Sequence, residues 1–121
     1  MKIGQRNPNK KRKRIPQKSE KRLHEEKIYF ALVEELREDC GNRSELSGDM
    51  GDWRTDYGVE PHHITKRKGG KGYYNPFNLI LITRREHNHI EEHYGWKEKQ
   101  ELLAFIKPRR IVQGYKEEDY Q

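Results

Sequence analysis

Apolar residues are sparse along this chain, and the spacing between them changes from one stretch to the next. Tyr29, Leu32, Val33 and Leu36 recur at helical spacing within a charged run, with Lys21, Arg22, Glu25, Glu34 and Glu35 off the stripe. Ser19 stands where a cap belongs, so a packing helix is predicted from Ser19 to about Asp39. Residues 40–58 are rich in Gly, Asp and Ser and read as a loop or irregular hairpin. Val59 to Thr65 reads as a short strand, and Pro61 places it at an edge or at a strand start. A glycine- and lysine-rich loop follows, then the Asn75-Pro76 turn, then the unbroken apolar run Leu79-Ile80-Leu81-Ile82, a buried strand. Thr83-Arg84-Arg85-Glu86 has the form of a capping box and opens a helix to about Tyr94. Leu102, Leu103, Phe105 and Ile106 define a last helix from Trp96, with Pro108 expected to end it. The reading is an α+β domain over 19–107, preceded by an arm (1–18) and followed by a charged, loosely ordered tail (108–121).

Composition narrows this further. With 121 residues, 31% hydrophobic and 38% charged, the chain holds one domain with a small core. A compact part of about 90 residues is marginal, and a bound metal would help hold it. Cys40 is the single cysteine, so no intramolecular disulfide forms; a small, partly buried residue is expected there. No apolar run is long enough for a signal peptide or a membrane span, which leads to the expectation of a soluble, cytoplasmic protein without membrane partners. Charge is uneven. Residues 1–22 carry ten Lys or Arg against Glu20 alone, whereas the rest carry sixteen basic and nineteen acidic residues. The densest run, Lys10, Lys11, Arg12, Lys13 and Arg14, lies between Pro8 and Pro16 with almost nothing apolar, so residues 1–18 are expected to form a disordered basic arm that contacts phosphates.

Chemistry concentrates between Glu60 and His93, where five of the six histidines fall. His62-His63 ends the first strand, Asn78-Leu79 opens the second, and His87 lies nine residues after Asn78 near the start of a helix. This order, residue type and spacing resemble the HNH endonuclease motif, also called ββα-metal, over roughly residues 40 to 95. Small free-standing members of that family are common in phages and bacteria. The resemblance implies a ββα-metal core, with His62 and His87 as ligands of one divalent ion and His63 as general base. It also implies that Asn78 ties the two sides of the loop together. A neutral imidazole suits the base role near neutral pH. Family members often place a third ligand four residues after the closing His, which is Glu91, on the same helix face as His87. His89 and His93 are the other candidates, less favoured because they are two and six residues from His87. Glu60 is a candidate to orient one of the rings. Two imidazoles and a carboxylate suit Mn²⁺, Zn²⁺ or Ni²⁺ better than Mg²⁺.

Many family members also bind a structural zinc through two Cys-x-x-Cys pairs. Here Ser44 and Ser47 stand at the first pair and Thr83 and Glu86 at the second, so no structural zinc is expected. The implied activity is metal-dependent hydrolysis of DNA. Phosphates are expected to meet Lys10, Lys11, Arg12, Lys13 and Arg14 of the arm, Lys66, Arg67, Lys68 and Lys71 of the loop, and Arg84 and Arg85 of the helix. A separate protein partner is one source of target specificity. The alternatives are a non-catalytic DNA-binding module that keeps the fold, and an RNA-directed nuclease.

Overall fold

The computed structural model describes residues 18–66 and 70–121. Residues 1–17 of the expected arm, with the basic run Lys10, Lys11, Arg12, Lys13 and Arg14, lie outside the described residues, as do Arg67 and Lys68 of the loop. Lys18, the last residue assigned to the arm, pairs with Glu26 of the first helix at 2.8 Å. The described chain mixes helix and sheet. Helix α1 (Glu20–Cys40) is followed by a small hairpin, β1 (Gly51–Asp52) and β2 (Asp56–Tyr57). Strand β3 (Glu60–His63) and strand β4 (Leu79–Ile82) then form a second antiparallel sheet, followed by α2 (Arg84–His93) and α3 (Trp96–Val112). No described helix is long and apolar enough to cross a membrane.

Helix α1 starts where the side chain predicts. The Ser19 hydroxyl accepts a hydrogen bond from the Arg22 amide, satisfying a donor that the first turn leaves open. It ends at Gly41, whose φ of 63° is the left-handed conformation that a glycine adopts without penalty. At the hairpin, Gly51 has φ of 80°, and a Cβ there would lie 2.2 Å from the Asp56 carbonyl oxygen. The close strand approach therefore requires glycine.

Strand β4 is the centre of the molecule, and all four of its side chains are fully buried. Alternation along the strand sends Leu79 and Leu81 to one face, where they meet Leu32, Val33 and Leu36 of α1 together with Val59. Ile80 and Ile82 face the other way, onto Ile64, Ile90 of α2, and Leu102 and Ile106 of α3. One four-residue strand thus joins two apolar clusters. One edge of β4 pairs with β3, placing His62 opposite Ile80 and His63 opposite Leu79.

The other edge has no strand beside it among the described residues, yet its polar groups are met. The Glu45 amide donates to Leu81 O at 2.8 Å, and the Leu81 amide donates to Glu45 Oε1 at 2.9 Å. Arg110 Nη2 donates to Leu79 O at 3.0 Å, and its Nε donates to Pro76 O at 2.8 Å. The same guanidinium grips Glu45 at both carboxylate oxygens, at 2.6 and 2.7 Å. Both side chains are wholly buried. A bidentate charge pair closes the open edge, where a bare row of amides and carbonyls would otherwise invite another strand.

This corrects the expected end of the last helix. Helix α3 does not stop at Pro108 but continues to Val112. Pro108 forfeits one helical hydrogen bond. The turn beyond it is held by Arg110 and by Arg109, whose Nε donates to Glu45 Oε2 at 2.7 Å. The segment expected to be loosely ordered also packs. Tyr115 rests against the α1-side cluster, and Tyr120 meets Tyr74 and Phe77. The stripe Leu102, Ile106, Arg110 continues at four-residue spacing through the proline.

Candidate metal centre

Cross-strand partners share a face, so His62 points with Ile80 toward α2 and His63 points with Leu79 toward α1. Two adjacent histidines therefore serve opposite sides of β3. On the α2 side, His87 and Glu91 are one turn apart on the helix, and each offers a donor atom to the neighbourhood of His62. One donor atom from each of His62, His87 and Glu91 lies within 4.8 Å of the other two. Glu91 Oε1 is 3.3 Å from His87 Nε2 and 3.8 Å from His62 Nδ1. The two imidazoles meet edge to face with centroids 4.6 Å apart.

This donor set fits a divalent cation. Ligands at about 2.1 Å from one ion stand roughly 3.0–3.4 Å from each other. The Glu91–His87 separation of 3.3 Å lies in that range, and the Glu91–His62 separation of 3.8 Å is wider, so His62 would have to draw in. Imidazole must be neutral to donate, and burial, reinforced by the neighbouring His87, pushes the His62 pKa down to about 4. His62 Nε2 and His87 Nδ1 are buried without an aligned hydrogen bond. Glu60 Oε1 nevertheless lies 2.8 Å from His87 Nδ1, a charge contact off the donor axis. Glu60 is itself held by Arg84, 3.1 Å away. The His87 ring is thus caught between two carboxylates, Glu60 behind and Glu91 in front. A carboxylate behind a ligating ring is a recurrent way to fix its orientation.

The start of α2 is fixed separately. Thr83 accepts from the Glu86 amide, and Glu86 accepts from the Thr83 amide, completing the capping box. Burial would raise the Glu86 carboxyl, but hydrogen bonds from Ser44, Ser47 and Thr83 outweigh it and hold the group below its usual range. Ser44, Ser47 and Thr83 therefore converge on the carboxylate of Glu86. That carboxylate is one residue before His87.

On the α1 side, His63 is half-buried, and its Nε2 is 2.9 Å from the carbonyl oxygen of Tyr73. Its ring packs against Tyr29, 5.7 Å away at 12°, and Tyr73, 5.9 Å away at 23°, and those two rings are 4.5 Å apart, so the three form one cluster. Asn78 ties the loop ends, as the resemblance implied. Its Oδ1 accepts from both the amide and the hydroxyl of Thr65 at 2.9 Å, and its Nδ2 donates to Thr65 O at 3.2 Å. Asn78 is buried and acts on the 65–78 loop, which carries the Tyr73 carbonyl.

A cleft of about 330 Å³ opens beside these groups, lined by His62, His63, Thr65, Lys66, Glu91 and Lys99 among others. Lys66 therefore shares this cleft with His62 and Glu91, and His87 does not line it. Lys71 is exposed on a 3-10 turn and does not line this cleft, Arg84 is engaged by Glu60, and Arg85 is exposed. Lys99 was not anticipated. It reaches the cleft from α3, and no local pattern in that helix marks it out. Compared with models of known protein families, with curated proteins and with solved structures, the chain matches none of them.

Proposed function

We propose that this chain is a metal-dependent endonuclease of the HNH, ββα-metal type, acting on DNA phosphodiester bonds. The observation that carries the reading is the convergence of His62, His87 and Glu91 beside His63. A bound divalent ion would supply Lewis acidity to the scissile phosphate and to the departing oxygen.

The protein's own groups supply the rest. Donation from His63 Nε2 to Tyr73 O leaves the lone pair of the neutral ring on Nδ1. That nitrogen takes a proton from the attacking water as the water oxygen bonds to phosphorus. The bond from phosphorus to the 3′ oxygen breaks as that oxygen takes a proton from solvent water, giving 5′-phosphate and 3′-hydroxyl ends, and the proton on His63 returns to solvent. Tyr29 and Tyr73 restrict the ring's tilt, and Asn78 steadies the loop that offers the Tyr73 carbonyl. Lys66 and Lys99 place positive charge on the cleft wall, where a phosphate backbone would lie. The basic residues of 1–18 and of the 66–72 loop extend that contact.

The test is nicking of supercoiled plasmid with Mg²⁺, Mn²⁺, Zn²⁺ or Ni²⁺ against a chelator. His63→Ala is expected to slow cleavage by about 10²-fold or more while keeping metal and DNA binding. Cleavage by that variant at the wild-type rate refutes the base assignment. A wild-type chain that binds DNA but leaves it uncut with every one of these metals is the non-catalytic module, and preferential competition by RNA redirects the substrate. Removing residues 1–18 should weaken DNA binding and flatten its salt dependence.

A further inference from the structure

Helix α2 turns one face to the candidate metal centre, and its opposite face carries two more histidines. His89 and His93 are four residues apart, and their rings stand side by side with centroids 4.7 Å apart. They are offset by two residues from His87 and Glu91, about 200° around the helix at 3.6 residues per turn. Both are exposed. Among the described residues, no hydrogen bond or ion pair engages His89, and the ion-pair contact of His93 is Glu92 Oε2 at 3.6 Å. We propose that His89 and His93 form a second cation site on the outer face of α2, selective for transition metals and weaker than the inner one.

The chemistry follows from the donors. Two histidines one turn apart on a helix present their ring nitrogens to one ion, a spacing that helices use to hold zinc. An all-imidazole pair prefers Cu²⁺, Ni²⁺ and Zn²⁺ and has little to offer Mg²⁺ or Ca²⁺, which favour oxygen. Glu92, between the two rings in sequence, adds negative charge beside the ion. Two protein donors on an open surface hold an ion less tightly than three donors around a buried ring, so the inner centre fills first. The ion would bridge one turn of α2, the helix that bears His87 and Glu91. The two sites then sort cations: the inner one accepts all that the candidate centre accepts, and the outer one takes transition metals only.

The experiment is metal-binding stoichiometry of the full chain without a histidine tag, by titration calorimetry and equilibrium dialysis with Ni²⁺, Zn²⁺ and Mg²⁺. Wild type is expected to take two Ni²⁺ or Zn²⁺ per chain in two steps. His89→Gln/His93→Gln should lose the weaker step and keep the tighter one, with Mg²⁺ binding unchanged. His62→Gln/His87→Gln should keep the weaker step alone, and His24→Gln should change nothing. Paramagnetic Ni²⁺ added past the first equivalent should broaden the His89 and His93 ring resonances. Retention of both steps in His89→Gln/His93→Gln overturns the proposal, as does a wild-type chain that takes one ion only. Absence of nuclease activity leaves these outcomes unaffected, so the two readings fail separately.

Discussion

At the free edge of β4, Glu45 and Arg110 are wholly buried, and their charged groups meet each other or a backbone partner. One sheet edge away, His62 Nε2 and His87 Nδ1 are also buried and have no aligned partner. The same small domain thus holds two polar clusters finished to different degrees. Burying a polar group without a partner costs about 1–3 kcal/mol, so a protein that completes one cluster and leaves the other short is not short of donors. The edge clamp has its partners within the fold. In the histidine cluster His87 Nε2 and His62 Nδ1 face Glu91, and the two nitrogens left without an aligned partner are the ones on the far sides of the rings.

The largest expected effect breaks the finished cluster. Glu45→Ala should lower unfolding free energy by about 3–5 kcal/mol, because it leaves the buried Arg110 guanidinium without a counter-charge. Arg110→Ala should cost less, because Arg109 still pairs with Glu45. Denaturant titration checks this, and a loss below about 1 kcal/mol would remove the clamp from the account. A smaller effect concerns acid. His62 has an ordinary pKa of 6.5 when unfolded and about 4 when folded. Below pH 6.5 the unfolded chain binds a proton that the folded chain refuses. Its contribution is therefore complete above pH 6.5 and is lost as pH falls toward 4. The upper bound is about 3 kcal/mol, since the adjoining cleft admits water. Stability of the metal-free chain measured between pH 7 and 4.5 should fall more steeply than that of His62→Leu; equal slopes would contradict the assignment.

Occupying the unfinished cluster should have the opposite sign. Zn²⁺ or Mn²⁺ at about 100 times its dissociation constant should stabilise the fold by about 2.7 kcal/mol. With the outer pair replaced by His89→Gln/His93→Gln, adding His87→Ala should abolish that gain; persistence of the gain would place the ion elsewhere. The smallest expected change is at the start of α2. Glu86→Ala deprives Ser44, Ser47 and Thr83 of their common acceptor and should cost about 2 kcal/mol. The capping box alone accounts for about half of that. Thermal unfolding of Glu86→Ala beside Ser44→Ala/Ser47→Ala separates the two shares.

Much of the element order was legible because it rests on local chemistry. Ser19 and Thr83 announce helix starts through side chains that act within three residues. Leu79 to Ile82 announces a strand covered on both faces. The convergence of His62, His87 and Glu91 was expected from the resemblance, with His87 and Glu91 on one helix face, and one donor atom of each lies within 4.8 Å of the other two. What escaped depends on distant partners. Pro108 is a local stop signal, and it was overruled by ion pairs to Glu45, whose position relative to α3 no local pattern reveals. The one hint was Arg110 continuing the four-residue stripe of Leu102 and Ile106. Lys99 escaped for the same reason, since its place at the cleft depends on how α3 packs.

Strand β4 has one further consequence, for the order of assembly. Its second edge is closed by Glu45 and Arg110, which are separated by 65 positions in sequence. Contacts that distant form late, after local helices and the 60–82 hairpin. Until then four consecutive Leu and Ile residues present an open template to other chains. Refolding yield should therefore fall as protein concentration rises, and a sub-denaturing concentration of urea that keeps chains apart during this interval should restore it.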